Sequence, residues 1–160
     1  MKTSTMQLLD KLNIKYRWLD HLAVISVADS VNIPGYNNPV KNLLIQEEGS
    51  GRKFLVVMAG DARMNQKLIR EKFNTKRFKF ADDDILRQTF NVASGSVSIF
   101  GLLNNGTNDV EIVIDQQILS KGLEIGFHPN DNTATVFFEP ENLAKILEAM
   151  DASYTIMDLY

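Results

Sequence analysis

The first third of the chain alternates between helical and extended hydrophobic patterns. Apolar residues recur at helical spacing through 6–12, behind Thr3 or Ser4, either of which can cap a first helix. A short run of aromatic and aliphatic residues at 16–19 then predicts a strand. Residues 26–35 predict a brief second helix, which opens with a Ser-x-x-Asp sequence and stops at Pro-Gly.

The rest of the chain continues in the same mixed manner. Two aliphatic runs separated by Glu-Gly-Ser-Gly at 48–51 predict a β-hairpin, and Asn104-Asn105-Gly106 predicts another tight turn. The helix after the hairpin is expected to have its cap at Asp61, and the last helix to begin at Pro140. Periodicity predicts strands at 42–45, 54–58, 77–80, 110–114, 123–126, 133–138 and 154–157, and helices with apolar faces through 64–73, 85–90 and 143–147.

This order of elements predicts an α+β fold, in which a single mixed, largely antiparallel sheet has flanking helices. A length of 160 residues suits one domain, 1–160, and is short for two. No apolar stretch approaches the roughly 18 residues of a membrane span. Lys11 and Lys15 interrupt the N-terminal apolar pattern, which argues against a secretory signal. A cytoplasmic location without membrane contact is therefore expected.

The composition narrows the chemistry. The chain has no cysteine, which excludes disulfides, thiol nucleophiles and sulfur-ligated zinc. His21 and His128 are the only histidines, and no carboxylate cluster has metal-ligand spacing. We therefore expect neither a bound metal nor a cofactor.

Basic side chains concentrate in the segment 67–79, although the net charge of the chain is -3. Six lysines and arginines fall in this run against one acid, Glu71. One interpretation is a solvated helix face. The alternative is a phosphate-binding patch, which an acidic protein can carry because salt screens charges beyond about 8–10 Å.

Three further stretches could carry chemistry. The loop from Gly95 to Gly101 lacks the Gly-x-Ser-x-Gly pattern of a serine nucleophile, but its backbone amides could hold a carbonyl or an oxyanion. A plain helix-to-strand connection is the alternative. Lys41 opens an apolar strand and either lines a cleft or extends its amine to solvent. His128 lies in Gly-Phe-His-Pro before a polar loop, where it either closes a turn or contacts a ligand.

Four motifs occur together and in one order over residues 41–135. They are Lys41-Asn42-Leu43, Phe80-Ala81 before a helix ending in Leu86, Gly95-Ser96-Val97-Ser98 with Phe100-Gly101-Leu102, and Gly126-Phe127-His128-Pro129 with Asn132-Thr133-Ala134-Thr135. In this order they resemble the YbaK/prolyl-tRNA-synthetase-associated domain family of aminoacyl-tRNA deacylases. The chain is most similar to the free-standing alanyl-tRNA(Pro) deacylases of that family.

The resemblance implies hydrolysis of the ester that joins a wrong amino acid to the 3′ end of tRNA, with alanine on tRNA(Pro) as the leading substrate. Water would be positioned by backbone groups of the Gly95 and Gly101 loop and by a ribose hydroxyl of the substrate. Lys41 would orient the terminal nucleotide or the aminoacyl group, and His128 would shape the pocket. Mischarged tRNA is the implied partner, and an association with prolyl-tRNA synthetase is a further expectation.

The resemblance also supplies candidate binding residues. Those for the aminoacyl end are Asn42, Ser96, Ser98, Phe100, Asn132, Thr133, Val24, Ile25 and Ile33, and those for the tRNA backbone are Lys67, Arg70, Lys76, Arg77 and Lys79. The chain departs from the family at Ile99, where proline is frequent, and through 21–26, so the choice between alanine, cysteine and other small residues stays open. A non-catalytic module that binds RNA or a small ligand is the third hypothesis.

Overall fold

The computed structural model describes residues 2–23, 37–104 and 109–160. The helix expected at 26–35, the turn at Asn105-Gly106 and the candidate pocket residues Val24, Ile25 and Ile33 lie outside these ranges. In chain order the elements are α1 (Lys2–Lys11), β1 (Tyr16–Asp20), β2 (Val40–Glu47), β3 (Lys53–Ala59), α2 (Gln66–Phe73), β4 (Phe78–Phe80), α3 (Asp83–Phe90), two 3-10 turns (Ser94–Ser96 and Ile99–Leu103), β5 (Val110–Asp115), α4 (Gln116–Ser120), β6 (Ile125–Phe127), β7 (Ala134–Phe138), α5 (Asn142–Ala149) and β8 (Tyr154–Met157).

The strands form two sheets. One has three antiparallel strands in the order β1-β7-β6, and the other has five strands in the order β4-β2-β3-β5-β8. The pairs β3–β5 and β5–β8 are parallel, while β2 pairs antiparallel with both β3 and β4. The predicted α+β class with flanking helices is confirmed, although the strands divide between two sheets instead of forming one.

Strand β3 is buried on both faces, which explains its unbroken apolar sequence from Phe54 to Ala59. One face belongs to a main core that both sheets share, and the other to a second core beneath α2. The main core includes Leu44, Leu55, Val57, Phe100, Phe127, Val136 and Phe138, and the second core consists of Ile45, Phe54, Val56, Met58, Ile69, Phe78, Val113 and Leu159.

The helix caps follow local chemistry in one case and tertiary contacts in another. Helix α3 begins after Asp82, the first of three consecutive aspartates, whose carboxylate accepts a hydrogen bond from the Ile85 amide at 2.9 Å. Helix α2 is capped by Asn65 and not by Asp61. The Asn65 amide donates to the Leu159 carbonyl at 3.1 Å, so the docked C-terminal segment determines where this helix starts.

Two other findings complete the fold. Helix α4 was not predicted, because its five residues are too few to show a helical period. Among residues 2–23, 37–104 and 109–160, no helix is long and apolar enough to span a bilayer.

Candidate active site

His128 directly follows β6 and is held by the strand that its loop leads into. Its Nδ1 donates to the Ala134 carbonyl at 2.9 Å, and its side chain is half-buried. The loop between them is closed by Asp131, whose carboxylate accepts hydrogen bonds from the amide of Thr133 at 2.8 Å and from its hydroxyl at 2.5 Å. Thr133 therefore stabilises the loop, and Asn132 lies half-buried beside it.

A second histidine lies next to His128. The ring centroids of His21 and His128 are 6.0 Å apart, and the His21 amide donates to the Thr133 carbonyl at 2.8 Å. The imidazole of His21 contacts the Leu22 carbonyl through Nδ1 and the Thr135 hydroxyl through Nε2, both at 2.7 Å. Since a carbonyl can only accept, we assign the proton to Nδ1, and Nε2 then accepts from Thr135.

His21 was not among the predicted site residues. It meets His128 only because β1 pairs with β7 across more than a hundred residues, with Leu19 opposite Thr135. Side chains alternate along a strand, so Thr135 points away from Val136, which belongs to the main core. The histidine pair, His21 with His128, therefore lies on the face of the three-stranded sheet opposite the main core.

The environment of His128 favours its neutral form. Burial lowers the pKa of its imidazole, the hydrogen bond to Ala134 opposes this, and the nearby His21 ring lowers the pKa further. Because Nδ1 donates to Ala134, the neutral ring presents a lone pair on Nε2. His128 can thus accept a hydrogen bond from water or from a substrate group at neutral pH.

Hydrogen bonds from the segment 94–103 hold the His128 loop in place. The Ser98 hydroxyl donates to the His128 carbonyl at 2.6 Å and accepts from the Phe100 amide at 3.1 Å. The amide of Asn130 donates to the Phe100 carbonyl at 2.9 Å. Ser98 and Phe100 are fully buried and position the loop, and the substrate contacts expected of them stay a prediction.

Gly101 packs closely against Phe90. It is buried, its amide donates to the Ser98 carbonyl at 3.0 Å, and a Cβ there would lie 2.7 Å from Cγ of Phe90. The structure thus gives Gly101 a packing role against Phe90, and its expected backbone contact with the ester stays a prediction. In the same segment Gly95 is half-exposed, whereas Ser96 is buried with its amide donating to the Ala93 carbonyl at 2.9 Å.

We expect Gly101→Ala to lower the free energy of unfolding by about 1–3 kcal/mol, because the added methyl group would overlap the Phe90 ring. Denaturant unfolding would measure the change. The double variant Gly101→Ala with Phe90→Leu tests the cause, since a smaller side chain makes room for the methyl group. Strictly additive losses in the double variant would refute the proposed clash.

Lys41 lies on β2, opposite Met58 in the register. It therefore points to the second core, and its Nζ donates to the Ala62 carbonyl at 2.5 Å. Its neighbour Asn42 pairs with Val57 and faces the main core. Within the ranges that the structure covers, no hydrogen bond joins Lys41 to His128, and each of the two side chains is held by a backbone carbonyl, of Ala62 and of Ala134 respectively.

The basic run is divided between two places. Lys67 and Arg70 lie on α2, whereas Lys76, Arg77 and Lys79 lie in the loop and strand that follow. The Lys76 amide donates to the Glu47 carboxylate and the Arg77 carbonyl accepts from the Glu48 amide, which fixes the loop against β2. All of these basic side chains except the half-buried Arg70 are exposed. In the described part of the chain, no group of three or more potential metal ligands occurs.

Comparisons with known proteins identify the family of this chain. A model of the aminoacyl-tRNA editing domain family matches residues 23–146. The prolyl-tRNA editing protein ProX of Acetoanaerobium sticklandii is 31% identical over 160 residues, which cover 99% of this chain and 97% of the relative. The prolyl-tRNA synthetase associated domain-containing protein 1 of Xenopus laevis is 24% identical over 92% of this chain and 90% of its own length.

Solved structures share the fold. A crystal structure assigned as a candidate trans-editing enzyme for prolyl tRNA synthetase superposes with a TM-score of 0.74, covering 99% of this chain and 95% of its own, at 16% identity. A hypothetical protein of known structure gives a TM-score of 0.74 over 96% of this chain and 97% of its own, at 20% identity. The family match and the full-length relative confirm the resemblance seen in the motifs, and the chain therefore belongs to the YbaK-like family of aminoacyl-tRNA editing domains and is an aminoacyl-tRNA deacylase.

Proposed function

We propose that this chain acts in trans on tRNA(Pro) that carries the wrong amino acid, and that alanine is the amino acid removed. The observation that carries the proposal is the full-length similarity to a prolyl-tRNA editing protein at 31% identity. The action on free mischarged tRNA would take place in the cytoplasm, and an association with prolyl-tRNA synthetase would deliver the substrate before it leaves for the ribosome.

The reaction needs little from the protein beyond positioning and electrostatic stabilisation. An aminoacyl ester is already activated, so an oriented water can attack its carbonyl carbon. A bond forms between the water oxygen and that carbon, the ester C–O bond breaks, and the ribose oxygen leaves with a proton. A neighbouring ribose hydroxyl of the substrate can orient the water, which would account for a site without a nucleophilic side chain.

His128 and the backbone around Gly95 are the groups that would surround the reacting ester. The lone pair on Nε2 of His128 would accept a hydrogen bond from the water or from the substrate amine. The His21 ring would form a fixed wall of the space beside His128, because hydrogen bonds to the Leu22 carbonyl and the Thr135 hydroxyl hold both of its nitrogens. Lys41 would hold the terminal nucleotide.

Selectivity would come from the size of the amino-acid pocket. A synthetase distinguishes a smaller amino acid by only about 1–3 kcal/mol per missing methylene, so a second pocket that excludes the correct residue restores accuracy. A pocket that admits alanine and excludes proline would leave the correct product intact. Val24, Ile25 and Ile33 stay the proposed wall of that pocket, and Asn42 is a further candidate because its side-chain oxygen is buried with no partner among the described residues.

The test is a deacylation time course on tRNA(Pro) charged with alanine, cysteine, serine or proline, with the rate without enzyme subtracted. We expect alanine to be released rapidly and proline to be spared. Alanyl-tRNA(Ala) is the control that reports whether the tRNA is read as well as the amino acid. Preferential release of cysteine or serine would reassign the substrate, equal release of proline would contradict the size argument, and no release of any amino acid would favour a binding module.

A further inference from the structure

A surface groove lies at the start of α2, on the side of the fold where Lys41 is anchored. It is open to solvent and has a volume of about 610 Å³. Its walls are formed by the last loop residues before α2, by the first turns of that helix and by the end of the chain. The lining residues are Arg63, Met64, Asn65, Gln66, Lys67, Arg70 and Tyr160.

The aromatic wall of this groove is held rigidly. Leu159 is fully buried in the second core, and its carbonyl accepts from the Asn65 amide at 3.1 Å. The Tyr160 hydroxyl donates to the carboxylate of Asp115, which is itself fully buried and accepts from the Ala59 amide at 3.0 Å. Anchored at both ends, Tyr160 keeps 38% of its surface exposed.

The groove is strongly cationic. Three of its seven lining side chains are basic and none of the seven is acidic. Four acids lie next to the lining: Asp115 accepts from the Tyr160 hydroxyl, Asp158 accepts from the Tyr160 amide at 3.2 Å, and Glu71 is 3.9 Å from Lys67. Burial and Asp115 raise the pKa of the Tyr160 phenol, and the nearby Asp61 adds to this. Cationic side chains around a fixed aromatic ring are the arrangement that proteins use for single-stranded nucleic acid, with phosphates on the cations and bases stacked on the ring.

The position of the groove connects it with the proposed substrate. Arg63 follows Ala62, whose carbonyl accepts the hydrogen bond from Lys41. A strand whose terminal nucleotide rests against Lys41 would therefore enter the groove directly. Of the basic residues in 67–79, Lys67 and Arg70 line the groove, whereas Lys72 and the residues of 76–79 do not.

We propose that this groove binds the single-stranded 3′ end of the tRNA, with Arg63, Lys67 and Arg70 contacting phosphates and the ring of Tyr160 stacking on a base. The proposal rests on the proposed function, since it names how the same substrate is held. It adds Arg63 and Tyr160, which no sequence motif indicated.

Binding of uncharged RNA tests the groove without requiring hydrolysis. The ligand is an RNA hairpin with a single-stranded 3′ extension, and the same hairpin with a blunt end is its control. We expect the double variant Arg63→Gln with Arg70→Gln to bind the extended hairpin about tenfold more weakly, and to bind the blunt one almost as the unmodified chain does. The dependence of log affinity on log salt should become shallower by about 1.4, at about 0.7 for each lost single-strand contact.

Lys72→Gln is the matched control, because Lys72 is an exposed cation on the same helix that does not line the groove. If Lys72→Gln weakened RNA binding equally, the loss of affinity would reflect the total charge of the surface and not the groove, and the proposal would be overturned. Unchanged binding in the double variant would also overturn it. Equal weakening toward both hairpins would place the contacts on duplex RNA and would likewise contradict binding of the 3′ end.

Tyr160 allows a second, independent comparison. Both Tyr160→Phe and Tyr160→Leu lose the hydrogen bond to Asp115, but only the first keeps a ring. Stacking predicts near-normal RNA affinity for Tyr160→Phe and about a fivefold loss for Tyr160→Leu, in folded variants of matched stability. Equal affinities in the two variants would exclude stacking. If no ester is hydrolysed but these differences persist, the groove stands and only the proposed reaction fails.

Discussion

Replacing His128 with alanine should lower kcat for release of alanine from tRNA(Pro) about 100-fold. The variant loses the Nε2 lone pair and the ring that fills the space beside His21. Loss of orientation at a reacting centre can cost about two orders of magnitude even when the chemistry is otherwise unchanged. Single-turnover deacylation with saturating enzyme would measure the effect on the chemical step.

His128→Asn is the control that separates catalysis from loop structure. An asparagine amide can still donate to the Ala134 carbonyl, so the loop anchor is kept while the imidazole is lost. We expect this variant to be nearly as slow as His128→Ala but closer to the unmodified chain in thermal stability. Near-normal activity in His128→Asn would mean that the residue acts only by holding the loop.

The same residue should set the acid limit of activity. Because burial lowers the pKa of His128 below its ordinary value of about 6.5, the active neutral form persists through neutral pH. Activity should be flat above about pH 6.5 and should fall only at lower pH, as the imidazole is protonated.

The free energy of unfolding should also rise with pH because of His128. In the window between the lowered pKa and about 6.5, the unfolded chain binds more protons at this position than the folded one, so stability rises with pH there and is complete above it. His128→Asn should remove this contribution. If activity and stability fall at low pH in His128→Asn just as they do in the unmodified chain, the titrating group is not His128.

Replacing Lys41 with alanine should lower kcat/KM about 100-fold, which is the second large effect. In the described part of the chain the hydrogen bond of its ammonium goes to the Ala62 carbonyl and not to a carboxylate, so its charge is available to a phosphate or a nucleotide. A 100-fold loss corresponds to about 2.8 kcal/mol, which is within the range of about 1.5–3 kcal/mol that one hydrogen bond to a charged partner contributes. Steady-state deacylation at several tRNA concentrations would measure it.

Lys53→Ala is the matched control for this variant. Lys53 is a half-buried lysine on the neighbouring strand β3, and its amine lies 3.7 Å from the carboxylate of Asp109. Its removal should affect stability slightly and activity hardly at all. A comparable loss of activity in Lys53→Ala would show that Lys41 acts through the sheet, and full activity in Lys41→Ala would exclude a role in the substrate complex.

Much of the local structure could be predicted from the sequence, because short-range chemistry decides it. The hairpin of β2 and β3 follows from two apolar runs around Glu-Gly-Ser-Gly, and α3 begins where an aspartate can accept from a nearby amide. The motif around His128 also marked the loop on which the candidate site is built. In each case the residues that determine the structure lie within a few positions of one another.

Residues whose roles depend on distant partners were assigned less well. Phe100 and Gly101 lie in a motif of the family, and only the packed structure shows that one fills the main core and the other makes room for Phe90. His21 joins His128 through the pairing of β1 with β7. Tyr160 joins the groove because Asp115 fixes its ring.

The sequence by itself thus determined the class of fold, the family and the loop that carries His128, since hydrophobic period, turn chemistry and motif order are all properties of neighbouring residues. Only the tertiary structure decided that the strands divide into two sheets, that Asn65 caps α2, and that the Lys41 amine binds the Ala62 carbonyl. These outcomes depend on which apolar surfaces pack together and which buried polar groups find partners. That is settled by contacts between residues far apart in the chain.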